Sequence, residues 1–188
     1  MSSRTGNVIL GEWLLDEAKS KIRETYKTTD EIAEQVAVAA VKYSFLKVGL
    51  NQEIAFDLEE SISLQGNSGP YIQYTYVRTK SLLQKVQSSK FKVQSFEGFD
   101  IHPEERELLR LLARFPEVVE EAAIRYAPNT LCTYLFELAQ AFNLFYQKFQ
   151  ILKAEDEMRD FRLHLTKKTG EVLRQGLNLL GIQAPEKM

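Results

Sequence analysis

The sequence predicts an all-α protein, a helical bundle preceded by a helical connector. Three observations carry this. Apolar residues recur at three- and four-residue steps through two long stretches, about 131 to 152 and about 155 to 180. Helix-start and helix-stop chemistry punctuates the chain at Ser68-Gly69-Pro70, His102-Pro103, Pro128-Asn129 and Gly181. Nothing alternates strand and helix in series, which excludes a doubly wound nucleotide-binding fold.

Met1 to Leu10 reads as a polar, glycine-containing loop running into a short apolar piece. Trp13, Leu14, Leu15, Ala18 and Ile22 then recur at helical spacing, broken near Thr28-Thr29. Asp30 is placed to cap a second helix, carried by Ile32, Ala33, Val36, Ala37, Ala40 and Val41; its alanines predict close helix packing, and Gly49 ends it. Asn51 to Leu64 alternates apolar and polar residues, which predicts a short strand or extended linker with a helical turn before Gly66.

Gly66-Asn67-Ser68-Gly69-Pro70 reads as a turn feeding a helix, with Ser68 as its cap and Pro70 in the first turn, where a missing N–H costs nothing. At 100° per residue this helix has two faces. Ile72, Tyr76, Thr79, Leu83 and Val86 form a narrow core stripe; Tyr71, Tyr74, Thr75, Arg78, Leu82 and Lys85 form a second. Aromatic rings with cations are what a surface that reads RNA requires, and they are also what a packed helix can carry. Phe91 to Asp100 is a loop around Gly98. His102 caps a helix that opens with Pro103-Glu104-Glu105 and buries Leu108, Leu109, Leu111, Leu112 and Phe115; Pro116 is expected to stop it and start another on Val118, Val119, Ala122 and Ala123. Leu131, Leu135, Leu138, Phe142, Phe145 and Phe149 form the stripe of the longest helix, flanked by Tyr134 and Tyr146. Met158, Phe161, Leu165, Thr169, Val172 and Leu180 face inward on the last.

With 188 residues, 44% hydrophobic and 27% charged, the chain has the composition of a soluble domain able to bury a core. No apolar run reaches the ~18 residues a membrane span needs, and the first residues lack a secretory signal's apolar centre. The single cysteine, Cys132, forbids an intrachain disulfide and fits a reducing, cytoplasmic compartment; with only His102 and His164 beside it, no zinc site is expected. A net charge of −2 rules out nucleic-acid binding by overall charge. Locally, Arg78, Lys80, Lys85, Lys90 and Lys92 stand in a run without acids, enough to meet phosphate and equally consistent with a solvated helix end. No enzyme constellation is present: there is no phosphate-binding glycine loop, and the adjacent carboxylates Glu59-Glu60 and Glu120-Glu121 would point about 100° apart on a helix.

The stretch Gly66-Asn67-Ser68-Gly69-Pro70-Tyr71-Ile72-Gln73-Tyr74-Thr75-Tyr76-Val77-Arg78 resembles the Gly-Asn-Thr-Gly-Pro-Tyr-Leu-Gln-Tyr-Ala-His-x-Arg stretch of arginyl-tRNA synthetases. Leu108-Leu109-Arg110-Leu111-Leu112 looks like the Ala-Leu-Arg signature of that family's anticodon-binding domain. Leu135-Phe136-Glu137-Leu138-Ala139 and Phe142-Asn143-Leu144-Phe145-Tyr146 resemble its long helix, and the stretch Leu179 to Met188 resembles its ending. Met1-Ser2-Ser3-Arg4 looks like the end of the Lys-Met-Ser-Lys-Ser loop that covers ATP phosphates, without its first lysine and with Ser3 for the second.

The resemblance implies a C-terminal portion of an ATP-dependent arginine–tRNA ligase: a loop remnant and connector over 1–65 and an anticodon-binding bundle over 66–188. It implies the anticodon loop of tRNA(Arg) as partner, together with a catalytic domain N-terminal to this portion, and neither DNA nor membrane. ATP with Mg would serve the full-length enzyme; this portion alone would hold no cofactor and be inactive. Anticodon contacts fall at Tyr71, Thr75, Tyr146, Gln150 and Met188, with Tyr74 and Arg78 beside them. Gln150 replaces an aromatic residue found in some members. The alternative is a helical protein-interaction module derived from that enzyme, without specific RNA binding.

Overall fold

The structure, a computed structural model, describes residues 10–86 and 100–188. The loop remnant Met1-Ser2-Ser3-Arg4, the lysines Lys90 and Lys92, and all of the loop around Gly98 except Asp100 lie outside the described residues. The described residues form seven α-helices and no strand: α1 Gly11–Tyr26, α2 Asp30–Leu46, α3 Leu58–Ile62, α4 Gly69–Gln84, α5 Pro103–Ile124, α6 Pro128–Lys148 and α7 Asp156–Leu179, with a 3-10 turn Ile151–Lys153 before α7. The all-α expectation is met.

Helices α1 and α2 form an antiparallel hairpin closed by α3. Their small residues allow this: Ala18, Ala33, Ala37 and Ala40 are buried with Ile22, Val36 and Ile62 in one apolar cluster. Ala39 and Tyr43, on another side of α2, belong instead to the main core. The Tyr43 hydroxyl lies 2.6 Å from Asn67 Oδ1 and 2.9 Å from the Cys132 carbonyl, linking α2 to the turn before α4 and to α6. The α6 stripe is buried as its spacing predicts, with Leu135, Leu138, Phe142 and Phe145 fully enclosed. Helix α4 lies in the middle, packed against α2, α6 and α7. Gly69 lets it approach α2 closely: a Cβ there would sit 2.5 Å from the Ala39 carbonyl oxygen.

The Asn51 to Leu64 segment takes the second of its two expected forms, a linker with a helical turn, in which Asp57 Oδ1 accepts from the Glu60 N–H at 2.9 Å and starts the short helix α3. Four local expectations change. Thr29, not Asp30, takes the N-cap position of α2, without a side-chain capping bond, and Asp30 sits in the first turn paired with Lys19 and Arg23. Trp13 is half exposed rather than buried. Pro116 does not divide α5. A helical proline removes one backbone bond and strains the previous turn. Here Phe115 stacks on Tyr134 with ring centroids 5.8 Å apart, and the Tyr134 hydroxyl donates to the Leu111 carbonyl at 2.8 Å. Packing against α6 thus holds both halves in line. Finally, α6 stops at Lys148 instead of continuing to Leu152. Phe149 leaves the helix in extended conformation (φ −112°, ψ 131°) to lie 4.3 Å from the Arg162 guanidinium and 5.1 Å from the His102 ring. Arg162 in turn pairs with the fully buried Glu105 at 2.7 Å, whose other oxygen accepts the His102 N–H at 2.9 Å.

Candidate nucleic-acid interface

The face begins at the α4 start. Ser68 Oγ accepts the Tyr71 N–H at 3.1 Å, the cap its sequence predicts, and so sets the phase of every side chain that follows. Tyr71, Tyr74 and Arg78 come out half-buried on one side of α4, facing α6.

Asn143, on α6, ties them together. Its Nδ2 donates to the Tyr71 hydroxyl at 2.9 Å and to Thr75 Oγ1 at 3.0 Å, while its Oδ1 accepts from Arg78 Nη1 at 2.7 Å. Arg78 Nη2 donates to the Tyr74 hydroxyl at 3.0 Å. The Arg78 guanidinium lies 4.7 Å from the Tyr74 ring centroid and 5.2 Å from that of Tyr146, which brings α4 and α6 aromatics to one cation. Tyr71 also meets Phe136 edge to face at 5.7 Å. Sequence reasoning placed Asn143 in a motif but gave it no role. Its signal was a lone amide between Phe142 and Leu144 in an apolar helix, where an unpaired polar group is costly.

The structure joins Tyr71, Tyr74, Arg78 and Tyr146 in one cluster, with Thr75 beneath it. Thr75 is fully buried, donates to the Tyr71 carbonyl at 2.9 Å and supports the cluster from below, contrary to its expected place on an outward face. Leu82, from the same expected face, is also buried. Gln150 sits beyond the end of α6 and is exposed. It lines a groove of about 310 Å3 with Tyr146, Lys85 and Lys153, so the cluster opens at this end into a cavity flanked by cations.

Met188 reaches the other end. The tail after α7 is held by the Lys42 ammonium, which donates to the Gly181 carbonyl at 2.6 Å, by Gln73 Nε2, which donates to the Gln183 carbonyl at 2.7 Å, and by a Lys80–Glu186 ion pair. These contacts return the chain across α4 and leave Met188 lining a second groove, of about 430 Å3, with Tyr74. The other walls of that groove come from α1, α2 and the turn between them, among them Ile32, which the helical pattern names for α2, and Tyr26 and Lys27, which no sequence pattern marks.

Other candidates have ordinary roles. Glu59 and Glu60 are exposed and paired with Lys21 and Lys47. Cys132 is fully buried, and burial pushes its thiol up to about 12, which leaves it unreactive near neutrality. No group of His, Cys, Asp and Glu able to hold a metal ion occurs among the described residues, and no helix among them is long and apolar enough to cross a membrane.

The family model of the DALR anticodon binding domain matches residues 72–188. The chain is 36% identical to an arginine–tRNA ligase of Ignicoccus hospitalis over 100% of its own length and 31% of that protein's. It is 39% identical to an arginine–tRNA ligase of Pyrococcus furiosus over 93% of its own length and 29% of the relative's. Among solved structures, an arginyl-tRNA synthetase of Thermus thermophilus superposes with a TM-score of 0.84 at 31% identity, covering 98% of this chain and 33% of that one. The chain thus spans about a third of the length of the relatives it matches. With the matched helices covering α4 to α7 and the tail, the chain belongs to the DALR anticodon-binding domain family.

Proposed function

We propose that this chain is the tRNA-reading portion of an arginine–tRNA ligase and binds the anticodon loop of tRNA(Arg) through the Tyr71, Tyr74, Arg78 and Tyr146 cluster, with Gln150 and Met188 at its two ends. The observation that carries this reading is the hydrogen-bond pattern around Asn143. The Tyr71 and Tyr74 hydroxyls each accept a bond from the protein, from Asn143 and Arg78, which leaves both phenolic protons available to acceptor atoms on base edges. Their rings, with Tyr146, offer stacking surface for unpaired bases, and Lys85 and Lys153 border the adjoining groove as phosphate partners. Thr75 acts in this proposal by fixing Tyr71 and Asn143, not by touching RNA.

In the same reading, the whole ligase attaches arginine to tRNA with ATP and Mg. The chain covers about a third of the relatives' length, and this reading assigns ATP and Mg to the part of the ligase outside it. Residues 1–65 serve as connector to that part, and the complete enzyme works in the cytoplasm.

The test compares binding of this chain to arginine-accepting tRNA and to the same tRNA with altered anticodon bases. Tighter binding of the unaltered tRNA is expected. Equal affinity for both would remove anticodon reading.

A further inference from the structure

We infer that the turn between α1 and α2 forms the second wall of the RNA site, with Lys27 neutralising a phosphate of the strand whose base enters the groove beside Tyr74 and Met188. This inference rests on the RNA-binding reading and extends it to the connector, outside the region that the family model matches.

The groove is built from both parts of the chain: Ile32, Leu64, Tyr26 and Lys27 line it from the connector, Tyr74 and Met188 from the bundle. A largely apolar groove of about 430 Å3 bordered by two tyrosines is of a size and chemistry for an unstacked base. A base cannot enter without its ribose and phosphate, so a cation is needed at the mouth. Most cations on this edge are already matched: Lys19 bridges Asp30 and Glu34, both at 2.8 Å, Lys21 meets Glu59 at 2.6 Å, and Arg23 meets Asp30 at 2.9 Å. Lys27 lines the groove, is exposed and has no carboxylate partner among the described residues.

Its backbone is also held in place. Lys27 ends α1 in the left-handed region (φ 49°, ψ 44°), its N–H donating to the Arg23 carbonyl at 3.0 Å, and that conformation aims the chain into a tight reversal. The Tyr26 hydroxyl donates to the Ile62 carbonyl at 3.1 Å and anchors the turn to the end of α3. The backbone of the turn is therefore anchored beside the groove, and the lysine stem carries its charge from there. The competing role for Lys27 is local, a cation at the negative end of the α1 dipole.

Lys27→Gly separates these roles. Glycine suits a positive φ, so the variant should fold at least as well as the parent. The expected result is weaker tRNA binding by the full 188-residue chain, with the slope of log affinity against log salt shallower by about 0.7, so that the defect shrinks about 2.6-fold between about 50 mM and about 200 mM salt. The ratio of affinities for unaltered and anticodon-altered tRNA should stay at its parental value, because a phosphate contact carries no base information. Unchanged affinity and unchanged slope would overturn the inference. The slope can be read on either tRNA, so parental binding that ignores the anticodon would refute anticodon reading while leaving the Lys27 result to stand or fall by itself.

Discussion

Replacing Asn143 with alanine removes three hydrogen bonds at once, those to Tyr71, Thr75 and Arg78. Lost without compensation, one charge-assisted and two neutral bonds amount to about 3–5 kcal/mol. The structure lowers that figure. Thr75 keeps its bond to the Tyr71 carbonyl, and the half-buried Tyr71 hydroxyl and Arg78 guanidinium can turn to water. A net loss of about 2 kcal/mol follows, equivalent to a fall in Tm of about 4–8 °C for a domain of this size. Urea denaturation of four proteins isolates the central bond: the parent, Asn143→Ala, Tyr71→Phe and the double variant. Tyr71→Phe should cost about 0.5–1 kcal/mol in the parent and close to nothing once Asn143 is gone. Affinity for tRNA should fall with Asn143→Ala as well, since Arg78 loses the bond that orients its plane. Equal cost of Tyr71→Phe in both backgrounds would refute the idea that Asn143 organises the face.

Three further predictions concern the scaffold. Gly69→Ala places a Cβ 2.5 Å from the Ala39 oxygen and 3.0 Å from Tyr43 Cβ, and should destabilise by about 1–3 kcal/mol in the same assay; Gly11→Ala, with nothing within 4 Å, is the neutral control, and matching curves for the two would mean that α4 slides freely on α2. Glu105→Ala strands the Arg162 guanidinium, whose side chain is 11% exposed, and uncaps α5 at the His102 N–H, for an expected loss of about 3–5 kcal/mol; a loss below about 1 kcal/mol would show that Arg162 finds water instead. The buried Cys132 thiol stays protonated to about pH 12 in the fold but ionises from 9.0 once unfolded, so unfolding releases a proton and stability drops by about 1.4 kcal/mol per pH unit from that point upward. Cys132→Ala should flatten the first part of that decline, before the Tyr43 and Tyr134 phenols, also pushed up by burial, add their own. An unaltered pH slope in the variant would assign the decline to other groups.

The helices were legible because their causes are local. Capping at Ser68, proline in the first turns of α4, α5 and α6, and the apolar steps of α6 and α7 depend only on neighbours within a turn or two. Local rules misled where packing opposed them. Pro116 carries a breaking signal, but a stacked ring and a hydroxyl from α6 outweigh it. Phe149 carries a helical stripe onward, but Arg162 and His102 draw it out of α6 and leave Gln150 in the turn beyond.

For the site, the amino-acid order alone determined the tyrosine–arginine face of α4 and, through resemblance, the family. It could not separate Tyr71 and Tyr74, which stay half-exposed, from Thr75 and Leu82, which share their side of the helix and are buried. A helical wheel assigns direction; it does not say which neighbour covers that direction. Only the crossing of α6 over α4 made Asn143 the centre of the cluster, and only the return of the tail brought Met188 to Tyr74 and the α1–α2 turn. Those contacts join residues far apart in the chain, so no local pattern records them: their positions follow from how the helices pack.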